Sequence, residues 1–211
     1  MKKSSKDERE PVAPFQAVFY QFLSTAFLYP VGDRRQELET RLPFLRQLAR
    51  SAQEIPSPNL DEVEEALNRL PALEEWQAGY TSLFVNNYPV LPCPLLESIH
   101  REGTLVGEST EQVAQAFLSF GLEAKALNPD HLASELEFVG YLSGTKVTPA
   151  EAPRYAEARR NFLKDHLYFL GNKVHESLSH AQKTHPGPCT EFYLALSRLL
   201  KWLFSVEEFE A

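Results

Sequence analysis

Cysteine is scarce in this chain: Cys93 and Cys189 are the only two, far apart and each beside a proline. That excludes a disulfide framework and suits a reducing compartment. The chain has no CxxC pair and no HExxH. Three of its six histidines, His175, His180 and His185, stand five apart. Steps of five turn roughly 140° around a helix, so these three share no face and no metal-ligand set is expected. Nine glycines are scattered without a phosphate-cradling loop, and GxSxG is missing. Long apolar runs are lacking as well. Patches such as LLKWLF at 199–204 are too short to span a bilayer, and the charged opening MKKSSKDEREP leads into no signal-type apolar run. A cytoplasmic protein without stable membrane insertion is expected. Basic residues number 21 against 29 acidic, a net charge of −8. Such a surface repels phosphate backbones, so no nucleic-acid partner is expected, whereas a basic peptide would be attracted.

Period-two alternation is nearly absent, and helical spacing recurs instead. Phe15, Val18, Phe19, Phe22 and Phe27 form one stripe, halted by YPVGD at 29–33. Leu38, Leu42, Leu45 and Leu48 form a second, in which Pro43 is expected to start or kink the helix. Ser57–Pro58 reads as a cap and first-turn proline ahead of Leu60, Val63, Leu67 and Leu70. Pro71 opens a helix carrying Leu73, Trp76, Tyr80, Leu83 and Phe84. Three prolines in six positions, Pro89, Pro92 and Pro94, make 86–107 an extended connector. Ser109 with Gln112 resembles a capping box, with Gly121 as the stop. After Pro149 a long helix keeps phase through Phe162, Leu167, Leu170, Val174 and Leu178 despite Gly171, and Thr190 caps a last one. At 211 residues the expectation is an all-α, single-domain bundle of about eight or nine helices with a proline-rich connector in its middle. Residues 1–14 are expected to form a flexible charged tail and 15–211 the helical domain.

The stretch NPDHLASELEF, 128–138, raises the functional question. Asn128 suits an N-cap, Pro129 the first helical position, and Asp130 a first turn where its charge meets the helix dipole. A well-capped core helix accounts for Pro129 and Asp130, but a cap does not require the imidazole of His131. Glu135 and Glu137 sit two apart and face different ways on a helix. The aromatics of WQAGYTSLF, 76–84, read as core in a chain this rich in phenylalanine.

Taken in order, these segments resemble the TorD/DmsD/NarJ family of redox-enzyme maturation chaperones. FYQFLSTAFLYP (19–30) is similar to the family's opening helix, with Tyr20 and a closing proline. YTSLF (80–84) is similar to its aromatic-x-x-Leu-Phe motif, and VLPCPLLESIHREG (90–103) to the proline-rich stretch leading into Glu97–Ser98. NPDHLASELEFVGYL (128–142) resembles its Pro-Asp-His helix and FLKDHL (162–167) its late Phe…His-Leu helix. The likeness runs from about residue 15 to about 204. The chain departs from the pattern at Gly79, where members often have glutamate, and at Leu95–Leu96, which replace Pro-Tyr. Leu170 and Asn172 stand where tryptophan and proline are usual.

The resemblance implies an all-helical cytoplasmic chaperone with no cofactor of its own, and not an enzyme. Its partner would be the apo catalytic subunit of a molybdopterin-containing oxidoreductase of the dimethyl-sulfoxide-reductase type. Such chaperones often grip the client's twin-arginine leader, aid cofactor insertion and delay export until assembly is finished. The client-binding residues so implied are Tyr20, Tyr80, Leu83, Phe84, Glu97, Ser98, Pro129, Asp130 and His131. Asp130 is the expected partner of the arginines, with His131 at the rim and the aromatics lining a groove. A monomer and a helix-swapped dimer are both compatible with the chain. The alternative from another class is a small helical metal-dependent hydrolase built on His131, Glu135 and His166; a third reading is a purely structural assembly subunit.

Overall fold

The computed structural model describes residues 15–51, 59–87 and 89–209. The expected tail over 1–14 and the Ser57–Pro58 cap lie outside them. Ten α-helices follow in order: α1 Phe15–Phe27, α2 Arg34–Ser51, α3 Leu60–Asn68, α4 Leu73–Phe84, α5 Glu97–Glu102, α6 Glu108–Leu118, α7 Leu132–Gly144, α8 Ala152–Phe162, α9 Tyr168–Thr184 and α10 Pro188–Phe209. A π turn, Leu163–Leu167, joins α8 to α9 without a break. Nine continuous helices result among the described residues, with no strand and one isolated bridge between Leu96 and His131. The all-α reading of the sequence is correct, and no helix among the described residues is long and apolar enough to cross a membrane.

The hydrophobic stripes set the packing. α1 buries Phe19, Tyr20, Phe22, Leu23 and Phe27 between α7, α2 and α10. Gly140 of α7 faces α1, where a Cβ would fit tightly, 3.3 Å from Gln21 Cγ and 3.4 Å from Tyr20 Cβ. α9 and α10 run against each other, and α10 also covers α3 and α4. At that second junction Trp76, Tyr80, Phe84, Phe192 and Tyr193 stack edge-to-face. The Trp76 Nε1–H donates to the Tyr193 hydroxyl at 3.1 Å, so the buried indole is satisfied. A second aromatic group, Phe117, Phe138 and Phe162, joins α6, α7 and α8.

Several local expectations are corrected. Pro43 neither starts nor breaks a helix but lies inside α2. It sits on the exposed face, where water can satisfy the carbonyl it leaves free, while Leu38, Leu42 and Leu45 are buried. The connector over 86–107 is not extended throughout, because α5 forms within it. The Ser109–Gln112 capping box is absent. Gly107 precedes α6 and donates its N–H to the Thr110 hydroxyl, while Ser109 bonds Glu102. Asn128 is not the cap of α7: that helix begins at Leu132, and His131 caps it.

Candidate functional site

Residues 128–131 form a turn closed by the His131 N–H donating to the Asn128 carbonyl at 3.1 Å. This turn lies against the end of the proline-rich connector. The Glu97 N–H donates to the Asp130 carbonyl at 2.9 Å and the Leu132 N–H to the Leu95 carbonyl at 2.8 Å. Asp130 therefore does not stand in the first turn of α7, as the sequence suggests. Its carboxylate is 0% exposed and accepts the Ser98 N–H at 2.9 Å, which caps α5 from 32 residues away. The six-residue α5 has no side-chain cap of its own at Leu96, so this aspartate supplies what the local sequence lacks.

His131 caps α7 in turn, its Nδ1 accepting the Ala133 N–H at 3.1 Å. An accepting Nδ1 carries no proton, and burial lowers the imidazole to about 4, with the neighbouring Asp130 charge pulling the other way. The fold thus favours the neutral ring. The stability this gives is complete above the ordinary histidine value of 6.5 and is lost as pH falls from 6.5 towards 4. Asparagine at 131 preserves a capping oxygen but cannot titrate. His131→Asn is therefore expected to narrow the gap in melting temperature between pH 7 and pH 5, and an unchanged gap would count against the titration.

Above the turn runs a groove of about 400 Å³. It is lined by Tyr29, Tyr80, Phe84 and Val85, by Leu91, Leu95, Leu96, Ile99 and Leu105, and by Ala126–Asn128 with His131. Several of these apolar side chains face water: Leu105 is 67% exposed, Val85 59% and Tyr29 42%. Soluble monomers seldom leave such residues contiguous without a use for them. Tyr80 is nearly buried, its hydroxyl donating to the Phe27 carbonyl at 2.9 Å, and its ring packs edge-on against Tyr29 and Phe84.

Of the residues singled out in the sequence, Tyr80, Phe84 and His131 meet in this groove. The others do not line it. Tyr20 is wholly buried and donates its hydroxyl to Glu207 of α10 at 3.1 Å. Leu83 is core, its carbonyl accepting the Cys93 N–H at 3.0 Å. Glu97, Ser98 and Asp130 are sealed beneath the groove at 0% exposure, and Pro129 is half-buried in the turn. Tyr29, Val85, Leu91, Leu105 and Leu127 escape a reading based on helical stripes because they lie outside helices. Their one sequence signal is apolar character in segments otherwise marked as loop.

The hydrolase alternative loses its ligand set. His166 Nδ1–H donates to Glu97 at 2.9 Å and His131 caps α7, and neither has Glu135 as a hydrogen-bond partner. Among the described residues no group of three or more His, Cys, Asp or Glu is arranged to hold a metal ion.

Comparison with known proteins bears on the same segments. The fold is similar to that of a candidate redox enzyme maturation protein from Archaeoglobus fulgidus, at 21% identity and a TM-score of 0.57. The match covers 92% of this chain and 99% of that one. No curated protein matches the chain. The nitrate reductase delta subunit family matches residues 42–169, which include the aromatic motif, the connector, the Pro-Asp-His turn and the late His-Leu segment. The chain belongs to the nitrate reductase delta subunit family, within the redox-enzyme maturation chaperones that its motifs resemble.

Proposed function

We propose that this protein is a cytoplasmic, non-enzymatic chaperone that binds the apo catalytic subunit of a molybdopterin-containing oxidoreductase in the exposed groove. The client's leader, a basic pair followed by an apolar helix-forming run, is the segment the groove takes. The observation that carries this reading is the water-facing apolar lining, with Leu105, Val85 and Tyr29 beside His131. Side chains held out of the core while remaining apolar suit a surface that is covered only part of the time. The net charge of −8 attracts a basic leader over longer range.

The energetics allow release. Four client side chains buried at ~1.5–3 kcal/mol each give roughly 6–12 kcal/mol before ordering costs of about 2–5 kcal/mol and the loss of rigid-body freedom. The remainder corresponds to affinity on the order of micromolar. In this reading Asp130, being buried, sets the shape of the groove floor, and Tyr80, Phe84 and His131 meet the client.

Leu105→Asp tests the proposal without disturbing the core, because the residue is already exposed. Titration of a fluorescent twin-arginine leader peptide is expected to show at least a tenfold loss of affinity for this variant, with the melting temperature unchanged. Equal affinity in both proteins would remove the groove from the function.

A further inference from the structure

Beneath the groove lies a group of side chains that client binding does not explain. Glu97, Asp130 and Glu135 are each 0% exposed and come from three places: the start of α5, the turn before α7, and the first turn of α7. Glu97 gives one oxygen to Arg101 and the other to His166 in the π turn. Asp130 gives Oδ2 to the Ser98 N–H, while its Oδ1 has no protein partner. Glu135 meets the Glu97 carboxylate, a contact in which its own proton makes the hydrogen bond, and Ser98 Oγ has no protein partner. Buried polar atoms are normally paired, so Asp130 Oδ1 and Ser98 Oγ, both without a protein partner, mark a site that carries a cost in this arrangement.

The surrounding charges explain what holds it together. α5 contributes Glu97 and Arg101, and Arg101 also donates to the Asp165 carbonyl and lies 3.9 Å over the Phe169 ring. The turn contributes Asp130 and His131, and the π turn His166. α1, packed along α7, contains no charged residue. α8 offers Arg159, which is engaged by Ser143 and Glu207 towards the far end of α7. Three carboxylates thus face one guanidinium and one imidazole, both already taken by Glu97. Burial, with Glu97 and Asp130 beside it, pushes the Glu135 carboxyl well above its ordinary range, so it keeps its proton here.

The same group fastens the groove. α5 is too short to persist alone, and its first two amides depend on Asp130. Leu95, Leu96 and Ile99, at and just before α5, form part of the groove wall. We propose that Glu97, Asp130 and Glu135 form a protonation-controlled latch that clamps α5 as a wall of the groove, and that ionisation of Glu135 releases it. A third negative charge among groups with no spare cation repels Glu97 and Asp130, and α5 is the shortest helix touching them. Release widens the groove from below and uncovers acidic side chains on its floor. The latch rests on the client-binding reading for its purpose, though not for its existence.

Hydrogen exchange tests it directly. Protection factors of the Glu97 and Ser98 amides, corrected for intrinsic exchange, are expected to fall with rising pH by up to tenfold per unit above the onset, as one-proton release requires. Amides in the middle of α10 should stay protected over the same range, which separates local opening from unfolding. Glu135→Gln removes the titrating group and should leave the α5 amides flat with pH. Flat protection in the wild type would overturn the latch, as would a slope that persists in Glu135→Gln. The wild-type profile decides the matter even if that variant fails to fold. A leader peptide that binds while α5 stays flat would refute the latch alone. A pH-dependent α5 in a protein that ignores every leader would leave the latch standing and refute the client reading.

Discussion

Arg159→Ala is expected to cost about 3–5 kcal/mol of stability, the largest effect of any single substitution considered for this protein. Arg159 on α8 reaches both Ser143 at the end of α7, with its Nε–H at 2.9 Å from the hydroxyl, and the Glu207 carboxylate on α10. Glu207 is 5% exposed and also receives the Tyr20 hydroxyl from α1. Removing the guanidinium takes from this buried carboxylate its charged partner on α8, which costs far more than loss of a surface pair. Replacing both members, Arg159→Met with Glu207→Leu, should recover much of the loss, since the carboxylate and the guanidinium are then removed together. Urea unfolding of the two single variants and the double variant measures the coupling. Additive losses would mean that the pair acts independently. This network also explains why the sequence reading placed Tyr20 with the binding residues while the fold does not: its hydroxyl serves a junction of helices 187 residues apart.

Gly79→Glu is expected to destabilise the protein by about 3 kcal/mol, the upper end of overpacking effects. A Cβ at Gly79 would lie 2.4 Å from Cys189 Sγ and 3.0 Å from its Cβ. α10 here approaches α4 closely, and the aromatic stack around Trp76 and Tyr193 depends on that approach. Cys189→Ala removes the nearer atom and should rescue Gly79→Glu in part, while costing little by itself. Thermal melts of the four proteins provide the check, and a Gly79→Glu protein as stable as the wild type would disprove the steric account. The glycine at 79 and the cysteine at 189 are thus one packing solution.

The helices with clear apolar stripes were legible residue by residue. α3, α7 and α10 bury the positions that their spacing nominates, whereas Leu73 of α4 is exposed and Phe15 and Val18 of α1 are only half-buried. Punctuation by Gly121, with φ +70, was legible for the same reason: only a residue without Cβ adopts that conformation freely. Less could be read where two distant segments share the work. The N-cap of α5 comes from Asp130, so no local window around 97–102 contains it. Pro43 was misjudged because a proline's cost depends on whether its helix face meets water.

Composition, periodicity and the ordered motifs were enough to determine the all-α class, the helix faces and the family, because burial patterns and backbone constraints act within a few residues. Which polar residues face the solvent was decided by tertiary structure alone. Asp130 and Glu97 look like surface acids in the chain, yet the crossing of the connector over the turn buries them and leaves Leu105 and Val85 outside. Exposure is a property of how elements at long sequence separation pack, and no local pattern encodes it.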